Sequence, residues 1–474
     1  MKYFISSLLL LTMAMSSMAN PKGYSIQTIE TPPNVLFHIT GLDTDKDGNM
    51  YCATRYGDVW VYKVQNKTWH KFAEGLHEPC GLLIENDGSL VVTQKPEMTR
   101  LIDSNKDGKA DLYIPLTREF KFHNNYHEFN FGGVKDNDGN YIGTLGTAAG
   151  PTAKGLKLSA MASLGDWRGW AYKVSPEGKF TPIASGLRSP AGLGRNPAGE
   201  IFYTDNQGDY VATSTMHQIL PNKFYGHPVS LQDRDDFTVD QLKKMTDEEF
   251  DAIRTLPVVF IPQEEVANSP GNPEWIDNSG KFGPFKDQFF VGDQTRSNIF
   301  RVTLQEVKGR YQGCVIDFIS GLQCGNIRLK FDKDGALWSG QTSRGWTSRG
   351  SKTFGLQKVV WDKKTMPFEI LDVKLTNSGF TVQFTEKINE KSIDQTKISR
   401  WWYEYSRKYG APKSDLEDIN ASSVKLAADG KTLTIDCPLV KEKVYCLDFS
   451  EINNSKGEKL GNTKAYYTIV NLLD

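Results

Sequence analysis

The sequence predicts an all-β chain: a six-bladed β-propeller over residues 25–364, followed by an immunoglobulin-like β-sandwich over residues 365–474. Three observations carry this prediction. An Asp-Gly turn between alternating apolar runs recurs along the chain. The composition, with 42 Gly, 25 Phe, 19 Tyr and 10 Trp, describes folded, turn-rich structure. After Trp361 the alternation continues but the repeat signature stops.

The turns come first, because Asp-Gly flanked by alternating apolar residues is a strong local hairpin signal. Clear copies are GLDTDKDGNMYCA at Asp47-Gly48, LLIENDGSLVV at Asp87-Gly88, GGVKDNDGNYIG at Asp138-Gly139 and LKFDKDGALWSG at Asp334-Gly335. Degenerate copies, GLGRNPAGEIFYTD at Ala198-Gly199 and GPFKDQFFVGD near Asp287, fill the gap. Their average spacing of roughly 57 residues suits a four-stranded blade with loop insertions. A second hairpin follows in VWVYKVQNKTWHKFAEG, RGWAYKVSPEGKFTPIASG and IFRVTLQEVKGRYQGCVIDFISG. Two inserts interrupt the pattern: a helical one over Val239 to Arg254, starting at Thr246-Asp247-Glu248-Glu249, and a Gly/Ala/Ser-rich loop over Gly150 to Asp166 that reads as mobile. Either could cover a site. Past Trp361, ILDVKLTNSGFTVQFTEKI, SSVKLAADGKTLTIDC and KVYCLDFSEI give the alternating strands of a sandwich. Such an appendage is more often a spacer or packing module than a catalyst.

Lys2, the apolar run Phe4 to Met15 and the small-residue pattern Ser17-Met18-Ala19 read as a Sec signal peptide over residues 1–19, so the mature protein is expected in the periplasm or outside the cell. No later stretch is long and apolar enough for membrane insertion. A formal net charge of −1 gives no general attraction to nucleic acid. The six Cys are widely spaced, without a CxxC. Cys437 and Cys446 are the best candidates to pair, while Cys52, Cys80, Cys314 and Cys324 are as readily buried thiols.

In a propeller, residues just before and after each blade's first hairpin converge on the face opposite its turn, around the central channel. This gives Thr54-Arg55, His77-Glu78 with Gln94-Lys95, His127-Glu128, Arg188-Ser189 with Asp205-Asn206-Gln207-Gly208-Asp209, Asn268-Ser269 with Asp293-Gln294-Thr295-Arg296, and Gln341-Thr342-Ser343-Arg344. Such a ring of polar and ionisable groups suits a binding or catalytic funnel. His77, His127, Arg188 and Asp205 are the catalytic candidates. Arg188, Asn206, Gln207, Asp293, Gln294, Arg296, Gln341 and Arg344 are the cofactor-binding ones. The bland reading stands beside this: a lone His is often a rim or core residue, and Arg and Asp on neighbouring blades often form salt bridges. Trp167, Trp170 and Trp346 could stack on a sugar or planar cofactor, although Trp170, starting a strand, suits packing between blades.

Asp103, Asn105, Asp107 and Asp111 have the spacing of calcium-loop ligands, with Gly108 at the sharp turn but no closing Glu. Asp43, Asp45, Asp47 and Asn49 are a weaker echo. HExxH, GxSxG and the phosphate- or dinucleotide-binding Gly loops are all missing.

The string GLRSPAGLGRNPAGEIFYTDNQGD resembles the central blade of the soluble quinoprotein glucose/sorbosone dehydrogenases, six-bladed propellers that hold pyrroloquinoline quinone (PQQ) on this face. GLHEPCGLL, FYGHPVSL, ANSPGNPEW, FVGDQTRSNIFRV and QTSRGWTSRG look like a divergent branch. The resemblance implies that His127 is the general base for a sugar hydroxyl, that hydride passes to the quinone, and that Arg188 stabilises charge on the quinone oxygen. It also implies a carbohydrate or other small-molecule substrate and an electron-acceptor protein as partner. Ser189 stands where the family has Asn, and Asp205-Asn206-Gln207-Gly208 where it has Glu-His-Gly. Two alternatives use the same face. One is a calcium-dependent lactonase with Asp205, Asn206, Asp293 and Glu128 as ligands; the other is a non-catalytic carbohydrate binder.

Overall fold

The computed structural model describes residues 20–123, 125–149, 156–163, 165–276, 278–345 and 347–474. The expected signal peptide, Trp346 and residues 150–155 and 164 of the Gly-rich insert lie outside the described residues.

Each of the six predicted turns joins the first and second strands of a four-stranded antiparallel unit. Asp47-Gly48 links Ile39–Thr44 to Met50–Thr54, and Asp334-Gly335 links Asn326–Phe331 to Leu337–Thr342. Gly48, Gly88, Gly139, Gly199 and Gly335 take φ between +82° and +87°, which a side chain at these positions would oppose. In three turns the leading aspartate closes the loop. Asp45, Asp136 and Asp332 each accept two backbone N–H groups of their own turn at 2.8–3.0 Å. The Asp43–Asn49 calcium echo is therefore a hydrogen-bonded turn, with Asp43 facing Lys330 at 3.1 Å.

The first strands of the six units, Ile39–Thr44, Gly81–Ile84, Asn130–Lys135, Pro190–Arg195, Pro270–Trp275 and Asn326–Phe331, pack side by side into a closed ring. Ring closure uses a strand absent from the sequence repeat. Tyr24–Ile29 pairs antiparallel with Phe354–Trp361 and becomes the fourth strand of the sixth blade. The two ends of the propeller are thereby joined in one sheet.

Arg328 lies across the channel. Its guanidinium donates to the carbonyls of Thr40 (2.8 Å), Ala191 (2.7 Å), Ile327 (2.6 Å) and Cys80 (3.0 Å), and sits 4.9 Å from the Phe131 ring centroid. Burial lowers its pKa to about 10, and no carboxylate among the described residues pairs with it.

The helical insert is present as two short helices, Val239–Leu242 and Asp247–Ile253, each begun by a capping box (Thr238 with Gln241, Thr246 with Glu249). Leu242 and Phe250 bury against Tyr210, Phe224, Val229 and Leu231.

After the propeller, Ile370–Leu375, Gly379–Phe384, Ser423–Leu426 and Thr432–Asp436 form one sheet. A second set, Lys397–Tyr403, Lys413–Ile419, Lys443–Asp448 and Lys464–Ile469, continues the fifth blade, because Lys464–Ile469 pairs with Arg310–Ile319. One apolar core, with Val373, Phe380, Leu433, Tyr445 and Tyr467, lies between these sheets. The expected Cys437–Cys446 pairing is corrected here: all six cysteines are free and buried. Cys446 lies in the sheet that extends the fifth blade, whereas Cys437 follows a strand of the other, so the connection between them crosses from sheet to sheet.

Candidate functional site

The channel face holds a cavity of about 530 Å³, within the usual range for small-ligand sites. Of the catalytic and cofactor-binding candidates, His127, Arg188, Asn206, Gln207, Gln294 and Arg344 line it. The blade architecture explains why. The third blade's Gly146 and Thr147 donate to the carbonyls of Phe129 (3.0 Å) and Arg188 (2.8 Å), so the segments carrying His127 and Arg188 are anchored to neighbouring residues of one strand end.

His127 is half-buried. Its backbone N–H donates to Asn125 Oδ1 at 3.0 Å and its ring meets Tyr126 edge-on at 5.2 Å. No described residue hydrogen-bonds its ring nitrogens. Burial, and then the Arg188 and Arg55 guanidiniums, lower its pKa below the ordinary histidine value, leaving a neutral imidazole with a free acceptor at neutral pH.

Arg188 is held from behind. Its Nε donates to Asp209 Oδ1 at 2.7 Å, and Asp209 Oδ2 accepts from Met161 N at 2.8 Å and lies 3.4 Å from His227 Nε2. Burial opposes ionisation of Asp209, but His227 and Arg188 outweigh it and hold the carboxyl well below the usual carboxylate range. Gly208 makes room for the guanidinium, since a Cβ there would stand 1.9 Å from Arg188 Cζ.

Arg55 and Tyr126 complete the opposite wall. Arg55 lies 4.8 Å from the centroids of both Tyr126 and Phe129, donates to Tyr126 Oη at 3.3 Å, and keeps Nη2 buried without a partner. Glu78 faces Arg55 (3.4 Å), Lys95 (3.4 Å) and Arg344 (3.8 Å), one carboxylate against three cations. Burial pushes the Glu78 carboxyl up, but Arg55 and Lys95 prevail and hold it below its ordinary value.

Five of the catalytic and cofactor-binding candidates fall outside the cavity lining. His77 is exposed on the rim, its ring against Phe122 at 5.5 Å. Asp205 and Asp293 are buried last residues of second strands. Asp205 accepts the N–H groups of Arg188 and Ser189 at 2.8 and 2.6 Å, and Asp293 those of Asn268, Ser269 and Arg296 at 2.5–2.7 Å. Burial raises the Asp205 pKa to about 6 against the pull of those bonds. Both carboxylates pin the chain leading into their own blade. Arg296 donates to the Glu264 carbonyl, and Gln341 Nε2 is committed to Asn326 Oδ1 and Gln357 Oε1 at 3.0 and 2.9 Å.

The predicted calcium ligands at 103–111 bond within their own loop. In the 103–111 loop, Asp103 accepts from Asp107 N and Gly108 N, Asp107 from Lys109 N, and Asp111 from Ser104, so the carboxylates turn to the loop's own donors. The lactonase set does not converge either, because Asp205 and Asp293 serve backbone N–H groups and buried Glu128 faces His123 Nδ1 at 3.1 Å. Among the described residues no three His, Cys, Asp or Glu side chains are grouped to hold a metal. Trp170 donates to Ser230 O and meets Trp167 edge-on at 5.2 Å, as a packing residue.

Residues missed from sequence include Tyr126, beside His127, and Tyr409, from the segment after the propeller; both line the cavity. Tyr126 carried a usable signal, its adjacency to a predicted site residue. Tyr409 carried none.

This geometry can be set beside known proteins. Over 71% of this chain and 100% of its own, a Thermus thermophilus protein described as a glucose dehydrogenase superposes with a TM-score of 0.54 at 18% identity. The PQQ-bound aldose sugar dehydrogenase of Streptomyces coelicolor does so at TM-score 0.50 and 14% identity, over 72% of this chain and 99% of its own. The PQQ domain of Coprinopsis cinerea pyranose dehydrogenase gives 0.50 and 13%, over 72% and 96%. The chain shares the fold of these sugar dehydrogenases. Residues 65–264 match a domain of unknown function (DUF7133), and no curated protein sequence matches the chain.

The cavity fits a planar anionic quinone on its own chemistry. Arg55, Arg188 and Arg344 line it, with Arg328 below, and Tyr126, Phe129 and Phe131 supply aromatic wall. The amide oxygens of Asn206 and Gln263 are buried there without partners.

Proposed function

We propose that this protein oxidises a carbohydrate hydroxyl in the channel-face cavity with PQQ as cofactor. The observation that supports this most is the placement of His127, neutral and with ring nitrogens that no described residue bonds, in the same cavity as Arg188, whose guanidinium is buttressed by Asp209. When bound, the quinone supplies a two-electron acceptor for hydride from the sugar carbon. A ring nitrogen of His127 takes the hydroxyl proton. Arg188, Arg55 and Arg344 hold anionic groups of the cofactor, and Asn206, Gln207 and Gln294 offer amide hydrogen bonds. Arg188, fixed from behind by Asp209, presents its charge without reorganising.

Calcium belongs to the proposal as an ion accompanying the cofactor, with the unpartnered amide oxygens of Asn206 and Gln263 as the hard ligands on offer. Export through the leader at 1–19, a separate electron-acceptor protein, and an immunoglobulin-like sandwich over 365–474 complete the reading. The test is reconstitution of the purified protein with PQQ, with and without calcium, followed by dye-linked oxidation of a sugar panel. Quinone absorbance together with dye reduction supports the proposal; absence of quinone binding ends it.

A further inference from the structure

The hairpin connecting Lys397–Tyr403 to Lys413–Ile419 belongs to the part of the chain that follows the propeller, yet it docks on the channel face. Tyr210 N donates to Ser406 O at 2.9 Å, Gly410 N to Gly208 O at 2.9 Å, and Ala411 N to Ala212 O at 2.8 Å. Tyr409 forms a β-bridge with Asp209. Side chains lock the same hairpin: Arg407 pairs with Asp247 of the helical insert at 3.0 Å, and Tyr405 donates to Gly226 O beneath the Arg254 guanidinium, 4.7 Å from its ring. Gly410, at φ +66°, allows the approach, because a Cβ would lie 2.8 Å from Gln207 Cδ.

All this anchoring presents one side chain, Tyr409, to the cavity, and the residue is 61% exposed. The Arg188 guanidinium lies 5.3 Å from its centroid. A large aromatic left open to solvent but fixed at its backbone from both sides loses little entropy when a ligand covers it. Neighbouring rims add Tyr56 and Tyr126, also exposed. Sugar rings have an apolar C–H face that packs on aromatic surface while their hydroxyls meet amides such as Gln207, which Tyr409's own hairpin contacts.

We infer that Tyr409 is a substrate-binding platform: it stacks against the carbohydrate ring, so the segment after the propeller completes the binding site and sets sugar affinity. This rests on the reading of the cavity as a carbohydrate site, but not on the oxidation step. The test therefore reads binding and turnover separately. Calorimetric titration with D-glucose and cellobiose, and dye-linked oxidation of the same sugars, are run on the PQQ-reconstituted wild type, Tyr409→Ala, Tyr409→Phe and His127→Ala, with melting temperature as the folding control. Tyr409→Ala should weaken sugar binding and raise KM by roughly tenfold or more, with kcat and quinone affinity nearly unchanged. Tyr409→Phe should restore both. His127→Ala should keep sugar binding and lose turnover. Sugar binding that depends on Tyr409 without any oxidation removes the oxidation reading and leaves the platform standing. Oxidation with KM unchanged in Tyr409→Ala overturns the platform and leaves the oxidation reading, and failure of the wild type to bind either sugar overturns the platform outright.

Discussion

Arg188 Nε and Asp209 Oδ1 are 2.7 Å apart in a pair that is almost wholly buried, with His227 and Met161 N–H on the far side of the carboxylate. Removing one partner leaves the other charged and desolvated. Asp209→Ala is expected to cost about 3–5 kcal/mol of unfolding free energy, measured by urea denaturation. A loss below 1 kcal/mol would show that Arg188 finds solvent without it.

No described residue bonds the ring nitrogens of His127, as a base requires. His127→Ala should lower dye-linked sugar oxidation by a factor of about 100 to 10,000 while the melting temperature stays near that of the wild type. His217→Ala is the control: that ring is buried, stacks on Tyr203 at 5.2 Å and does not line the cavity, so its loss should act on stability rather than chemistry.

The pH dependence follows from the same surroundings. Burial, Arg188 and Arg55 favour neutral His127, so the acid limb of kcat/KM should lie below the ordinary histidine pKa of 6.5. Deleting a nearby positive charge favours protonation. Arg55→Gln should therefore move that limb to higher pH, and a limb that stays in place would mean that another group titrates there.

The 103–111 loop satisfies its carboxylates with its own N–H groups. In the absence of PQQ, chelator should leave the melting temperature of the protein unchanged, and Asp107→Ala should lower its stability by no more than the loss of a surface turn bond, about 1 kcal/mol. A chelator-dependent drop abolished by Asp107→Ala would restore calcium to this loop.

Glu369, buried where the propeller meets the following sheets, accepts from Asn462 N and Nδ2 at 3.3 and 3.1 Å, while its Oε1 has no partner. Burial lifts its pKa to about 8, against the pull of Arg301. A raised carboxyl contributes stability that is full below its unfolded value near 4.5 and is lost as pH rises through about 8. Glu369→Gln should flatten this slope, narrowing the gap in melting temperature between acid and mildly alkaline buffer by at least about 3 °C.

The turn glycines were readable because a turn is local: Asp45, Gly48 and their counterparts interact within five residues of chain. The cavity was half-readable. Position relative to a hairpin puts His127, Arg188 and Gln294 on the correct face, but not every side chain there points into the channel. Asp205 and Asp293 show this, since ionisable residues at the mouth of a channel look functional in sequence, yet both fold back onto the N–H groups that precede their own strands. What could not be read depends on contacts between distant segments: Tyr24–Ile29 closing the sixth blade, and Tyr409 reaching Asp209 across 200 residues.

Arg328 turns the propeller's bore into two separate rooms. Thr40, Cys80, Ala191 and Ile327, whose carbonyls hold the guanidinium, line the channel-face cavity, while Gly41, Gly81 and Arg328 itself line the cavity towards the hairpin turns. A molecule in the upper room cannot leave through the lower one without breaking these bonds. Under the proposed oxidation, sugar and product would then enter and leave on the channel face, and an acceptor that needs contact with the cofactor would approach from that same side.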